Sequence, residues 1–492
     1  MQLLKLTDKV ISDSCKKIYL LKHSDNYLAE LKERYEDICN IIIVSSDYNN
    51  YLVEDGLLVI AVDYYREAYE KVVEELGQSR DINIYYFPNK ETEYEEYYRD
   101  KYSESELKDI IIFRSGPHID SYIEGMDFAD NARALFEYML KNNYNNKYKL
   151  VWFVKESCDY IDRYKAYKNV EFVNLSWSIS NCQRERDTYY YYLCNSKYIF
   201  FTDAYGIARN CREDQIRIQL WHGCGFKTRL NFQPCKKRYE YMIVTSQLYG
   251  DIHSRLFGLD DEQILVTGLP KEDWLYEASN DEFYEVINKD INEYKKIIIW
   301  LPTYRQADMV LNQNNGYCIE GGIGLPVLDS LEKLEGINEI LKKNNACMVV
   351  KLHPFQKKKD INIGEYSNII LVDNSVLVNR DIHINQIIGN ADGIISDYSS
   401  VAVDYLLLDR PIGFAVDDLD RYKKARGFIF EDIEEWLPGA LIENETEMKE
   451  FIINVIDNND RTSKKRNRLK VLMHRYYSGS SCERLLDALG IR

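Results

Sequence analysis

The 492-residue chain lacks any C-x-x-C pair. Its 11 cysteines are scattered and odd in number, which leaves no disulfide framework and no zinc-finger spacing. It also lacks a basic balance: a formal charge of −17 argues against a general nucleic-acid binder, while leaving room for local basic patches. No apolar stretch approaches the ~20 residues of a membrane span. The opening "MQLLKLTDKVISDSCKK" has no signal-type apolar core followed by a small-residue cleavage site. Together these absences predict a protein kept in a reducing compartment inside the cell. What is there is ordinary for a globular protein, 45% hydrophobic and 29% charged, and the length predicts two to four domains at ~150 residues each. One residue type is in excess. The 41 tyrosines read partly as compositional drift and partly as amphipathic surface.

Apolar runs alternate with helical periodicity along most of the chain. "KKIYLLKHSDNYLAELKERYEDICNIIIVSS" reads as strand, helix, strand, and "LLVIAVDYYREAYEKVVEELG" adds another strand and helix. This is a βαβ pattern like that of small nucleotide-binding modules. Its first turn, "KHSDN" (Lys22 to Asn26), lacks the closely spaced glycines that let a backbone approach a pyrophosphate. The module is therefore read as degenerate, a docking or structural unit. The charged stretch Asn89 to Asp109 reads as a linker. Two further α/β units follow, one opening at "IIIFRSG" (Ile110 to Gly116) and one at "KKIIIWLPTYR" (Lys295 to Arg305). Strand–helix alternation in both predicts two parallel sheets in facing domains with a cleft between.

Several strand ends in these units carry chemistry. In "QLWHGCGFKT" (Gln219 to Thr228), His222 follows an apolar run, and Gly223 and Gly225 let the backbone approach a ligand. An imidazole there suits a general base; a buried histidine bound to a carbonyl is the plainer alternative. "MVVKLHPF" places Lys351 and His353 at another strand end, and "WLPTYR" places Arg305 at a third, where its guanidinium can fork onto phosphate oxygens. In "GIISDYSSVAVDYLLLDRPIGF" (Gly393 to Phe414), a strand to Ile395 and a helix from Val401 to Leu408 put Ser399 and Ser400 at a helix N-terminus. They either cap the helix or donate to a phosphate. Asp404 lies one turn further in, within reach of a ribose. His23, His118, His253, His383 and His474 have no comparable setting and are read as structural. Basic clusters at Lys227, Arg229 and Lys236 to Arg238, and at "TSKKRNRLK" (Thr462 to Lys470), are solvated faces or anion sites. No D-x-D-type pair is placed at a strand end, so neither metal nor cofactor is called for.

Six ordered motifs, "FEYMLKNN…YKLVWFVKE", "QLWHGCGFK", "VTSQLYGDI…VTGLPKEDWL", "WLPTYR", "VVKLHPF" and "ISDYSSVAVDYLLLDRP", resemble the CDP-glycerol glycerophosphotransferases of teichoic-acid-type polymer synthesis over about residues 109–488. Two positions depart from the commoner pattern: Cys224-Gly225 replaces Thr-Pro, and Tyr304 replaces a Trp. The resemblance implies a glycosyltransferase B-type pair of Rossmann-like domains preceded by the small degenerate module. The implied division is 1–100 for the module, 101–285 for the acceptor side, 286–475 for the nucleotide donor, and 476–492 for a helix packing back across the cleft. It implies transfer of a polyol phosphate, glycerol phosphate first, from a CDP-polyol to a hydroxyl of a lipid-linked or polymeric acceptor, with release of CMP. His222 would be the base and would face His353 across the cleft. His353, Arg305, Lys351, Ser399 and Ser400 would hold the donor pyrophosphate, Asp404 the ribose, and Gly223 and Gly225 the close approach. The expected place is the cytoplasmic face of the membrane, attached peripherally. A nucleotide-sugar glycosyltransferase and a non-catalytic nucleotide-binding scaffold are the alternatives.

Overall fold

The computed structural model describes residues 2–14, 17–44, 56–62, 65–76, 82–116, 126–155, 161–202, 207, 211–228, 239–302, 323–352, 365–425 and 427–492. The chain forms two compact units, one of Met1–Lys108, Val173–Asn195 and Arg209–Asp214, the other of Asp109–Phe172, Ser196–Ala208 and Gln215–Arg492.

The first unit is built on strands β1 (Gln2–Lys5), β2 (Lys17–His23), β3 (Asn40–Ile43), β4 (Gly56–Ala61) and β5 (Asn83–Tyr86). They make one parallel sheet in the order β1-β5-β4-β2-β3. Side chains alternate across it: Ile18 and Leu20 enter one core, Tyr19 and Leu21 the other. The module is larger than the βαβ expected, because β5 pairs with β4 and the short strand β1 adds an edge beyond it. The stretch read as a linker is a helix over Lys90–Tyr102, capped by Asn89, whose side chain accepts from the Thr92 amide. It packs with the helix Gln183–Asn195, and here some of the tyrosine surplus finds its use. Tyr98 stacks on Tyr190 with ring centroids 4.4 Å apart and donates to Asp187 at 2.9 Å.

The second unit carries two parallel sheets. The first contains β6 (Lys108–Arg114), β7 (Lys149–Val154), β8 (Val170–Asn174), β9 (Ser196–Phe201), β10 (Ile216–Gln219), β11 (Tyr241–Val244) and β12 (Ile264–Val266), ordered β12-β11-β10-β9-β6-β7-β8. The second contains β13 (Lys296–Trp300), β14 (Ala346–Lys351), β15 (Ile369–Val372), β16 (Gly393–Ser396), β17 (Ile412–Ala415) and β18 (Ala440–Ile442), ordered β15-β14-β13-β16-β17-β18. Near-continuous apolar runs such as "KIIIW" are what a sheet covered on both faces requires. Ile297 and Ile299 enter one core, Ile298 and Trp300 another. The first of those cores also takes Cys224, Phe226, Val244 and Tyr249 from the seven-stranded half, so the two halves share buried apolar surface.

In each of these sheets the strand order reverses once, between β6 and β9 and between β13 and β16. Open α/β sheets bind ligands beyond the carboxyl ends of the strands at such reversals. The C-terminal helix, Ser481–Ala488, packs on the seven-stranded half: Cys482, Leu485 and Leu486 join its core, and the amides of Ser481 and Cys482 donate to Asp273. No helix among the described residues is long and apolar enough to cross a membrane.

Candidate active site

The loop after β10 is held from several sides. Gln219 accepts from the Trp221 amide at 2.8 Å. Asn131, in the first turn of the helix Asp130–Lys141, donates through Nδ2 to the carbonyls of Leu220 (3.2 Å) and Trp221 (2.8 Å). Lys271 Nζ donates to the next carbonyl, that of His222, at 2.5 Å. Trp221 is buried and sits at φ 52°, a conformation that a bulky residue adopts only where its surroundings enforce it. Its ring lies 4.1 Å from the half-buried His222 ring and 4.9 Å from Phe257.

Beyond His222 the loop meets the six-stranded half. Gly223 has φ 154°, and a Cβ added there would lie 2.5 Å from Ser400 Oγ; one on Gly225 would lie 3.0 Å from Ser400 Cβ. Only glycine admits so close an approach. Phe226 O accepts from the Ile429 amide at 2.9 Å, so the loop continues along residues 427–429. Cys224 is fully buried, which pushes its thiol up to about 12 and makes it an inert packing residue.

Ser399 and Ser400 follow β16, on one side of the strand reversal, and Ser400 precedes a short helix, Val401–Tyr405, that tightens into a 3-10 turn over Leu406–Leu408. The Ser400 hydroxyl makes no capping hydrogen bond, so the capping alternative does not account for it. Lys351 ends β14, and burial pulls its pKa down to about 8, with Asp373 partly opposing. Asp404 is 1% exposed and faces inward, 3.4 Å from Lys271 Nζ and 3.5 Å from Asn385 Nδ2. Arg305, which follows β13 on the other side of the reversal, and His353, which follows β14, lie outside the described residues, as do Arg229 and Lys236 to Arg238.

Local reading of the sequence passed over Lys271, Asp130, Asn131 and Glu272. Pro270 opens a 3-10 turn over Pro270–Glu272, and the Glu272 carboxylate accepts from the Leu269 amide. That turn buries Lys271 between Asp130 and Asp404, each at 3.4 Å. Burial disfavours the lysine's charge, but Asp130, Asp404 and Glu272 outweigh it and hold the pKa above the ordinary lysine range. Burial, with Asp404 nearby, pushes the Glu272 carboxyl above the usual carboxylate range, while Lys271 and the Leu269 amide oppose that shift. His383 lies close by, its ring 4.9 Å from Trp274. Burial and the charges of Lys271, Arg133 and Lys351 drive its pKa down and keep it neutral. The motif "VTGLPKEDWL" contains Lys271 but singles it out by no spacing or setting of its own. Among the described residues no group of three or more His, Cys, Asp or Glu is arranged to hold a metal ion.

A protein family described as CDP-Glycerol:Poly(glycerophosphate) glycerophosphotransferase matches residues 110–490. The chain belongs to that family. Among its relatives, a teichoic acid glycerol-phosphate primase of Bacillus subtilis is 27% identical over 74% of this chain and 89% of its own length. A teichoic acid poly(glycerol phosphate) polymerase of Staphylococcus epidermidis is 26% identical over 64% of this chain and 42% of its own. The Staphylococcus aureus ribitol-phosphate polymerase TarK is 27% identical over 61% and 57%. The chain thus spans about half the length of the staphylococcal polymerases it matches. In fold it is similar to the wall teichoic acid polymerase TagF, with a TM-score of 0.61 at 21% identity over 87% of this chain and 97% of that one. The glycosyltransferase B-type pair expected from the motifs agrees with that likeness.

Proposed function

We propose that this protein transfers a polyol phosphate, with glycerol phosphate the first candidate, from a CDP-polyol to a hydroxyl of a lipid-linked or polymeric acceptor. The observation that carries the reading is the seating of the His222 loop on Ser400, which joins a candidate base to a candidate phosphate donor group. Membership of the glycerophosphotransferase family supports the same reaction.

In this reading, residues 286–475 hold the nucleotide donor and residues 101–285 face the acceptor. Ser399, Ser400, Lys351, Arg305 and His353 surround the pyrophosphate at the carboxyl ends of β13, β14 and β16. Gly223 and Gly225 let the His222 loop pack closely on Ser400. His222 takes the proton of the acceptor hydroxyl, whose oxygen attacks the β-phosphorus. The bond from that phosphorus to the bridging oxygen breaks, and CMP departs with the electron pair. Positioning and cationic donors supply most of the catalysis in such a displacement. Asp404, assigned to the ribose on sequence grounds, is better read as a partner of Lys271, given its burial.

Attachment to the inner face of the membrane would be peripheral and electrostatic. Lys464, Lys465 and Arg468 on the helix Ser463–Met473 are the first candidates, because Arg466 of that run is buried on Asp409 and Asp460. High-salt washing of membranes is expected to release the protein; an unchanged membrane fraction contradicts this attachment.

The reaction is tested by offering a panel of CDP-polyols and UDP-sugars. CMP formed from a CDP-polyol is the expected outcome. UDP formed from a sugar would replace the reaction by glycosyl transfer on the same fold.

A further inference from the structure

Three consecutive carbonyls, those of Leu220, Trp221 and His222, are taken by side chains from outside the loop, the first two by Asn131 and the third by Lys271. Lys271 is itself fixed at both ends of its peptide unit. Its amide donates to Asn131 Oδ1 at 3.1 Å, and its carbonyl accepts from Asn385 Nδ2 at 3.3 Å. The ammonium group meets three oxygens, His222 O, Asp130 Oδ1 and Asp404 Oδ2, one for each of its N–H donors. Asp130 belongs to the seven-stranded half and Asp404 to the six-stranded half. A lysine at 6% exposure is costly to bury, and a loop carbonyl could have faced water instead. The compact ammonium suits this pocket better than a planar guanidinium, whose fork cannot meet three converging oxygens.

We propose that Lys271 is a positioning residue for His222: its ammonium fixes the peptide between His222 and Gly223 while joining Asp130 to Asp404, so that the imidazole is aimed when the two halves are engaged. This rests on His222 being the base that deprotonates the acceptor. The orientation of that peptide sets both the direction of the imidazole and the path of Gly223 onto Ser400. Lys271 therefore acts on catalysis through the loop backbone and touches no reacting atom.

The experiment compares wild type with Lys271→Met, Lys271→Arg, the charge-balanced pair Lys271→Met with Asp404→Asn, and His222→Ala. It reads kcat and KM for CMP release, CDP binding by calorimetry, and folded fraction by circular dichroism. Where Lys271→Met alone fails to fold, the balanced pair takes its place. The expected result is a kcat per folded molecule lower by roughly 100-fold, as for a misplaced catalytic group, with CDP affinity little changed. Lys271→Arg should fold like wild type and still fail to restore kcat. Wild-type kcat per folded molecule in Lys271→Met or in the balanced pair overturns the proposal, and so does full rescue by arginine, which would leave only a charge requirement. An active His222→Ala overturns the base assignment and the proposal together. An inactive His222→Ala beside a fully active Lys271→Met overturns the positioning role alone.

Discussion

Two buried charged clusters join the seven-stranded half to the six-stranded half, and they differ in what they hold. In one, Arg133 at 5% exposure forks onto Asp381, through the carboxylate at 2.6 Å and the carbonyl at 2.8 Å, and onto Glu137 at 2.9 Å. Arg163 adds a second guanidinium on Asp381, and Tyr164 donates to Glu137. Cations and carboxylates match in number, and these partners all lie outside the His222 loop. In the other, the single cation Lys271 serves Asp130, Asp404 and Glu272, and one of its donors goes to a loop carbonyl. A guanidinium whose N–H groups reach two carboxylates and a carbonyl fixes a framework. A lone ammonium shared among excess carboxylates is arranged around the backbone it holds. The first cluster is architecture; the second ties architecture to the site.

The largest effect is expected where the framework cluster is broken. Arg133→Met leaves the half-buried Asp381 and Glu137 without their main partner while Arg163 stays on Asp381, so urea denaturation should show a loss of about 3 kcal/mol, at the low end for a broken buried pair. CMP release per folded molecule should stay at the wild-type level, and a fall in kcat there would erase the distinction between the clusters.

Acid should strike the lysine side. His474 is buried, with Nε2 2.8 Å from Val403 O and Nδ1 3.8 Å from Glu272 Oε1. Burial lowers its pKa from 6.5 to about 4, with the Val403 bond opposing. Below pH 6.5 the unfolded chain binds a proton that the folded chain refuses. The stability held by the neutral ring is therefore fully present above pH 6.5 and lost as pH falls toward 4. The loss is about 3 kcal/mol. Subtracting the unfolding curves of His474→Gln from those of wild type isolates this slope from the carboxylates nearby, and parallel curves would contradict it.

Gly223→Ala comes next. Its new methyl would meet Ser400 at an unfavourable φ, and a displaced loop should cost roughly 100-fold in kcat/KM for CMP release. Wild-type kinetics in this variant would show that the loop does not need its seat on Ser400.

The smallest effect belongs to Lys351. As pH rises through about 8 its charge is lost in the free enzyme, so kcat/KM for the donor should fall, by about tenfold per unit. Lys351→Arg should remove that limb of the profile, and an unaltered limb would assign it to another group.

Much of this was legible in the sequence, for physical reasons that can be named. Apolar runs such as Ile297 to Trp300 and Met348 to Val350 can only be strands buried on both faces, and their ends carry the candidate donor residues. Glycines at 223 and 225 read as room for a ligand; in the structure the side chain of Ser400 lies where their Cβ atoms would be. Lys271 was hidden because its burial comes from partners such as Asn131, 140 residues away, which no local period encodes. Asp404 was placed by counting one helical turn, yet the helix is five residues long and turns that side chain inward. The helix over Lys90–Tyr102 was taken for a linker because its tyrosines and charges are distributed without an apolar face.

The central claim is that the His222 loop brings a base to a phosphate held beside Ser400. Its most direct test is CMP release from CDP-glycerol by wild type and His222→Ala, with donor binding measured on both. The account predicts CMP from the wild type, almost none from the variant, and the same donor affinity in each. Full turnover by the variant would contradict it.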